Sequence, residues 1–332
     1  MKIIQDGHPQ NMTVMDTKKR VKKSYKKLPP TWYSDRVNYS YIIALEREHE
    51  RLKTFRETSD VSKHFQVVEA IDGRELTKEN CPTDSYPIYD WRYQLKVSPN
   101  PSPMQGLLLL NKNPKVIASS IETSICLSQA KAWKKFIQDG KSGDWAMFVE
   151  SDTIFHNEFG HNFCEVWDSI DLKDTHMLYL NYLPDEWGFS VKVYNDKVFR
   201  IKNGCWFMAT YLLSWDGAKG LIDRFPIVGP LDTWIQHQYD FLRPLASRKF
   251  SGLQGNGTVE TQSSNVYSFN SVDHNPIPTE ISGSAEDLAG FHLHLTKFNF
   301  DDSKWIRDWD GRELTKEIRI DNETHTEIQN TR

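Results

Sequence analysis

The stretch Trp145-Ala-Met-Phe-Val-Glu-Ser-Asp152 decides how the rest of the chain is interpreted. Five apolar residues, Trp145 to Val149, follow one another without interruption, which is typical of a strand buried on both faces of a sheet. Glu150 and Asp152 come directly afterwards and, two positions apart, project to the same side of an extended chain. Ligands of open α/β sheets collect at the carboxyl ends of strands, so these carboxylates could hold a divalent cation. The alternative is an exposed acidic turn.

The segments before this strand predict a parallel sheet. Tyr39–Leu45 indicates a buried strand, Glu46–Glu57 a polar helix and Phe65–Ala70 a second strand. Strand, helix and strand in this order form a βαβ unit, whose two strands are normally parallel. Ser119 and Glu122 then have the spacing of a capping box, which predicts a helix that ends near Gly140 and leads into the Trp145 strand.

The segments after this strand predict further strands and helices. Residues 81–114 are rich in proline and predict a long loop or a short insertion. Met177–Leu180 indicates a strand, and the alternation in Val191–Ile201 indicates an antiparallel or edge strand. Ser214 can cap a helix, and an aromatic helix is expected over Trp234–Phe241. The sequence 251–290 predicts mostly loop, followed by a short strand at Phe291–Leu295.

Composition excludes several classes of protein. The chain has 332 residues and a formal net charge of -4, so its overall charge does not indicate a nucleic-acid binder. No apolar run approaches the roughly 20 residues that a membrane-spanning helix needs, and the N-terminus lacks the pattern of a signal peptide. The four cysteines have no paired spacing and are expected to be reduced and buried, which favours a cytoplasmic location.

A basic segment precedes the predicted sheet. Seven of the ten residues Lys18–Lys27 are Lys or Arg, followed by Pro29 and Pro30. Such a run is commonly a solvated face or arm. It could also bind phosphates, either of a nucleic acid or of an anionic membrane surface.

Short motifs between residues 39 and 268 resemble, in the same order, those of glycosyltransferase family 25, which includes lipopolysaccharide-type sugar transferases and collagen galactosyltransferases. The matching segments are Ile42–Leu45 with Arg47 and Arg51, Val68–Gly73, Glu122–Ser128, Glu150–Asp152, Ala209–Ser214 with Gly217–Ala218, Pro230–Asp232 and Gln262–Val266. The chain departs from the family pattern at several positions. Gln129 replaces a His, Ser151 the middle Asp of an acidic triplet, Asn265 an Asp, and Ser124-Ile125 a Gly-Cys pair. These departures indicate a divergent member.

The resemblance implies an α/β fold of the nucleotide-diphospho-sugar transferase (GT-A-like) type with a mostly parallel central sheet. The transferase domain is expected over residues 35–312, between a basic extension (1–34) and a polar tail (313–332). The implied reaction is a metal-dependent, inverting transfer of a sugar from a UDP-sugar to a hydroxyl of a saccharide or glycolipid. The resemblance fits either a hexosyltransferase or a pentosyltransferase.

The resemblance also suggests roles for particular residues. Asp152, supported by Glu150, would bind Mn²⁺ or Mg²⁺, and either His292 or His294 could add an imidazole ligand. The residues that would bind the donor are Leu45, Arg51, Asp72, Ser128 and Glu150. Asp232 is the candidate general base, although an Asp there could instead cap the following helix. Asp72 could equally serve turn chemistry, Arg51 could be solvated, and Ser128 could be a packing residue.

Two other functions fit the sequence. A viral enzyme that glycosylates a hydroxylated DNA base would use the Lys18–Lys27 arm to hold the duplex. A non-catalytic sugar-nucleotide-binding protein would explain the substitutions at Gln129 and Ser151.

Overall fold

A computed structural model of the protein describes residues 27–58, 60–90, 115–155, 159–184, 190–248 and 259–261. The strands are β1 (Tyr39–Ala44), β2 (Gln66–Glu69), β3 (Ser85–Tyr86), β4 (Ile88–Asp90), β5 (Lys115–Ile117), β6 (Trp145–Glu150), β7 (Thr153–Phe155), β8 (Met177–Pro184), β9 (Ser190–Val193), β10 (Val198–Asn203), β11 (Cys205–Ser214), β12 (Ile227–Val228), β13 (Leu245–Ser247) and β14 (Val259–Thr261). The α-helices are α1 (His49–Thr58), α2 (Ser120–Asp139), α3 (Phe159–Trp167), α4 (Trp215–Ile222), α5 (Leu231–Gln236) and α6 (Tyr239–Leu242).

The centre of the fold is an eight-stranded sheet in the order β2-β1-β6-β11-β8-β13-β10-β9. Strand β1 is parallel to both β2 and β6, and β8 is parallel to β13, whereas β11 and β10 run antiparallel to their neighbours. Six strands of this sheet therefore point one way, and β11 and β10 point the other. This confirms the predicted α/β fold with a mostly parallel central sheet.

Two hydrophobic layers cover the faces of this sheet, and the alternation of β6 side chains separates them. Ala146 and Phe148 belong to the layer beneath α2, which includes Trp133 and Phe136. Trp145, Met147 and Val149 belong to the opposite layer, which contains Phe159 and Phe163 of α3. All five apolar residues of β6 are buried, so the strand is covered on both faces as predicted.

Helix α2 forms where the sequence predicts it because both of its ends are specified locally. Ser119 Oγ accepts a hydrogen bond from Glu122 N at 3.1 Å, and the Glu122 carboxylate accepts one from Ser119 N at 2.7 Å, so the capping box is complete. The helix ends at Asp139, and the amide of Gly140 bonds to the carbonyl of Phe136. The predicted β1-α1-β2 unit is also confirmed, since β1 and β2 are parallel neighbours.

Several predicted boundaries were wrong. Val191–Ile201 is a hairpin and not one strand, because Asn195 Oδ1 accepts hydrogen bonds from the amides of Lys197 and Val198 and closes a turn. The helix expected over Trp234–Phe241 is two short helices, α5 and α6, of which the first already begins at Leu231. The proline-rich segment contributes β3 and β4, and β5 follows it directly, while residues 91–114 lie outside the described part of the chain.

Other expectations concern residues that are not described. Residues 18–26 of the basic segment, the Gln262–Val266 motif and the Phe291–Leu295 strand lie outside the described ranges. Within those ranges, no helix is both long and apolar enough to cross a membrane. All four cysteines are described as thiols; Cys126, Cys164 and Cys205 are buried as expected, whereas Cys81 is half-buried.

Candidate active site

The candidate site lies where β1 and β6 end, because these parallel neighbours bring their carboxyl ends to one edge of the sheet. Ile43 of β1 is paired with Glu150 of β6. The turn after β1 carries Leu45 and Glu48, and the turn after β6 carries Ser151 and Asp152. The acidic triplet therefore lies at the carboxyl end of a strand, as predicted, and the sheet places it beside the start of α1.

Glu150 and Asp152 are carboxylates whose negative charge is poorly compensated. Asp152 is 7% exposed, and within the described residues its Oδ1 is buried without a hydrogen-bond partner. Burial raises the pKa of Asp152 to about 6, against the opposing charge of Arg51. Burial, followed by the charges of Asp152, Asp232 and Glu48, raises the pKa of half-buried Glu150 to about 8. The site therefore favours neutral carboxyl groups or a bound cation.

Glu48 also belongs to this site, although its sequence context does not indicate this. Its Oε2 accepts hydrogen bonds from Leu45 N at 2.9 Å and from Ser151 Oγ at 2.8 Å. Its Oε1 accepts one from Arg51 Nη1 at 2.5 Å. The spacing of Glu48 and Arg51 at i and i+3 is a recognisable helix pair, but the bond to Ser151 crosses between two strand ends and has no local signal.

Asp232 is the second residue of α5 and not its cap. The residue at the cap position is Pro230, which makes no side-chain capping bond, so the interpretation of Asp232 as the cap of a helix near Trp234 was wrong. Helix α5 packs through Leu231 and Trp234 into the layer that contains Ala146 and Phe148, the face of β6 on which Glu150 also lies. The charge of Asp232 raises the pKa of Glu150. The structure thus brings Asp232, from the Pro230–Asp232 motif, close to the acidic triplet.

Asp72 lies in a different electrostatic setting. It caps the short 3₁₀ turn Gly73–Glu75, where its carboxylate accepts a hydrogen bond from Arg74 N at 3.1 Å. The guanidinium of Arg74 lies 2.6 Å from the same carboxylate, and Arg47 pairs with it too. These bonds, chiefly that of the Arg74 side chain, lower the pKa of Asp72 to about 2. Turn chemistry is confirmed for Asp72, and its role in donor binding stays a prediction.

The comparison with known families agrees with the motifs. The sequence model of glycosyltransferase family 25 (LPS biosynthesis protein) matches residues 38–235, which is more than half of the chain and contains Glu48, the acidic triplet and Asp232. The chain belongs to glycosyltransferase family 25. No individual curated protein matches it. This family 25 chain is therefore a glycosyltransferase, with a GT-A-like fold, and acts on a sugar donor and an acceptor.

Two departures from the family 25 pattern have structural explanations. Gln129 is buried, and its Oε1 accepts a hydrogen bond of 2.6 Å from Tyr211 OH, which in turn accepts one from Trp133 Nε1 at 2.7 Å. An amide at position 129 thus completes a chain of polar groups between α2 and β11. Ser151 is also buried, and its hydroxyl donates to Glu48, where an aspartate would place a second carboxylate.

Two further residues that were predicted to bind the sugar donor of this transferase make internal hydrogen bonds. Ser128 Oγ accepts from Ile71 N at 2.9 Å and donates to the carbonyl of Ser124 at 2.6 Å, so it ties α2 to the turn after β2. Leu45 presents its amide to Glu48 and lines an open groove of about 300 Å³ with Ala44, Leu52 and Val67. Whether Leu45, Ser128 or Arg51 contacts the donor stays a prediction.

His292 and His294, the predicted imidazole ligands, lie outside the described residues. Among the residues that are described, no group of three or more His, Cys, Asp or Glu side chains is arranged to hold a metal ion. The assignment of Asp152 and Glu150 as cation ligands therefore stays a prediction.

Proposed function

We propose that this family 25 enzyme is a metal-dependent, inverting glycosyltransferase that moves a sugar from a UDP-sugar to a hydroxyl of a saccharide or glycolipid. The observation that carries the proposal is the buried Oδ1 of Asp152, which has no hydrogen-bond partner in the described residues, beside Glu150 at the end of β6. An unpartnered, buried carboxylate oxygen costs free energy unless a cation or another donor meets it.

The residues present fit a divalent cation that is shared with a substrate phosphate. Asp152 raises the pKa of Glu150 by charge repulsion, and the pKa values of both are raised, so a divalent cation held by these residues would remove an unfavourable interaction. Mg²⁺ and similar ions are commonly held by one or two carboxylates together with substrate phosphates, so a cage of three protein ligands is not required. When bound, such an ion would neutralise the charge that develops on a diphosphate leaving group.

The protein residues would divide the remaining work. In an inverting transfer the acceptor oxygen forms a bond to the anomeric carbon, the bond from that carbon to the diphosphate breaks, and UDP leaves. The acceptor loses its proton in this step, and the carboxylate of Asp232 would receive it as general base. The support for Asp232 is its charge interaction with Glu150 and its place at the second position of α5 rather than at the cap. Arg51, fixed by Glu48, would supply positive charge beside the carboxylates.

A binding experiment tests the metal and the nucleotide together. Calorimetric titration of UDP is expected to show tighter binding with Mn²⁺ than with EDTA in the unchanged protein. Asp152→Asn should remove this enhancement. Asp144→Asn is the matched control, because Asp144 precedes β6 at the opposite end of the same strand and accepts a bond from Lys141 N. It should retain the enhancement.

The possible results separate the parts of the proposal. Equal UDP affinity with Mn²⁺ and with EDTA would contradict the proposed metal dependence. Failure of the protein to bind UDP or to hydrolyse any UDP-sugar would contradict the proposal that a UDP-sugar is the donor. Mn²⁺-enhanced UDP binding without turnover on any saccharide acceptor would support the non-catalytic binding protein instead. The comparison with known families does not support a DNA acceptor.

A further inference from the structure

We propose that Glu48 is a positioning residue of the donor site, and that the hydroxyl of Ser151 is what allows it to hold the ends of β1 and β6 together. The inference rests on the proposed function, and it deepens that proposal by assigning roles to two residues that contact neither the reacting atoms nor, in our assignment, the cation. It also gives a reason for the serine at the position where the family pattern has an aspartate.

The geometry is that of a single carboxylate shared by three segments. Oε2 of Glu48 accepts from the amide of Leu45, in the turn after β1, and from the hydroxyl of Ser151, in the turn after β6. Oε1 accepts from Arg51 in the first turn of α1. The side chain of Glu48 is only 16% exposed, so these bonds are shielded from competing water.

The bond to Ser151 fixes the turn that carries the candidate cation ligand. Ser151 is 4% exposed and lies between Glu150 and Asp152, so its rotamer and the backbone of the turn are set together. The bond at 2.8 Å attaches this turn to Glu48, whose own position is fixed by Leu45. A neutral donor at position 151 satisfies the Glu48 carboxylate without adding charge, whereas an aspartate would place two carboxylates at hydrogen-bonding distance.

The same carboxylate orients Arg51. The Arg51 guanidinium is partly buried beside Glu48, and its charge reaches both Glu150 and Asp152. Without Glu48, a long arginine side chain would lose the acceptor that selects this rotamer. Glu48 thus arranges both the anionic ligand turn and the cation next to it, which are the groups that a diphosphate leaving group would meet.

A double-substitution cycle tests this coupling. Glu48→Gln and Ser151→Asp are each expected to lower kcat/KM for transfer from a UDP-sugar by about tenfold or more, because each disrupts the shared carboxylate. In the double variant the amide nitrogen introduced at position 48 can donate to the carboxylate introduced at position 151, and the charge of that carboxylate replaces the charge of Glu48. The rescue is expected to be incomplete, because the same nitrogen can no longer accept from Leu45 N. The kcat/KM of the double variant should therefore be at least about tenfold higher than the product of the two single effects predicts.

A second pair of variants keeps the test independent of folding. Ser151→Thr keeps the hydroxyl and should stay within about threefold of the unchanged enzyme, whereas Ser151→Ala should lose about fivefold or more in kcat. Assays well below the thermal midpoint of each variant separate positioning from stability, since a purely structural role would lower the midpoint and leave kcat in place. Calorimetric UDP binding with Mn²⁺ gives a readout that does not depend on turnover.

Two results would overturn this inference but leave the proposed function intact. One is strict additivity of Glu48→Gln and Ser151→Asp in an enzyme that is otherwise active. The other is equal kcat for Ser151→Ala and Ser151→Thr. If the unchanged protein itself neither binds UDP nor turns over a UDP-sugar, the proposed function fails first, and the inference falls with it.

Discussion

Asp72 and Asp152 both follow strands of the same sheet edge, but their charges are balanced in opposite ways. Asp72 accepts bonds from the Arg74 amide and pairs with the Arg47 and Arg74 side chains, and its pKa falls to about 2. Asp152 is buried with an oxygen that no described residue bonds, and its pKa rises to about 6. Described residues of the protein complete the environment of Asp72, whereas none of them bonds the buried oxygen of Asp152, which therefore favours a proton or a cation.

The largest expected effect comes from replacing the uncompensated carboxylate. Asp152→Asn should lower kcat by about 100-fold or more, since stabilisation of a leaving group by a metal is worth several kcal/mol. Its thermal midpoint should not fall, because the variant removes a buried charge that Arg51 compensates only in part. The measurement is steady-state transfer from a UDP-sugar together with thermal unfolding, and Asp144→Asn is the control. A drop in kcat of less than about threefold would contradict the assignment of Asp152.

Replacement of the candidate base should have the next largest effect. Asp232→Asn is expected to lower kcat by about 100-fold while the KM for the donor changes less than about twofold, because general base catalysis acts on the acceptor proton. Asp240→Asn, an exposed carboxylate-to-amide change in α6, is the matched control. A large rise in donor KM without a change in kcat would instead assign Asp232 to donor binding.

The parts of the fold that were predictable from sequence are those that local chemistry specifies. Strand β6 is an uninterrupted apolar run, and α2 has both a complete capping box and a glycine at its end. The prediction failed where one side chain decides between two local structures. Asn195 turns a segment that was predicted as one alternating strand into the β9-β10 hairpin.

The candidate site could be predicted only in part, for a related reason. The position of Asp152 follows from the strand before it, so the acidic triplet was recognisable. The role of Glu48 depends on β1 and β6 lying side by side, and nothing within a few residues of Glu48 indicates its bond to Ser151. Similarly, whether Asp232 is a helix cap depends on whether the helix begins at Leu231 or near Trp234.

The pH dependence of stability should distinguish the two kinds of carboxylate. Glu150 has a folded-state pKa raised from 4.5 to about 8, so its contribution to stability is fully present below pH 4.5 and is lost as the pH rises through 8. Glu150→Gln should therefore raise the thermal midpoint by about 3 °C or more at about pH 9 and by less than about 1 °C at about pH 4. Thermal scans at both pH values measure this, and equal shifts would contradict the raised pKa.

Substitution of Asp72 should have the smallest effect on stability, and its pH dependence should be opposite in sign to that of Glu150. Because the pKa of Asp72 is lowered, the contribution of this residue to stability is present above pH 3.8, the ordinary pKa of an aspartate, and is lost as the pH falls through about 2. At about pH 7, Asp72→Ala should cost about 1 kcal/mol of unfolding free energy, the usual value of a side-chain cap. Asp72→Asn should cost less, because an amide oxygen can still accept from Arg74 N. Urea denaturation at about pH 7 and about pH 3 measures both variants. A penalty for Asp72→Ala that grew in acid would contradict the arginine pairing, because acid removes the charge on which that pairing depends. At Glu150, by contrast, acid removes a charge that Arg51 compensates only in part.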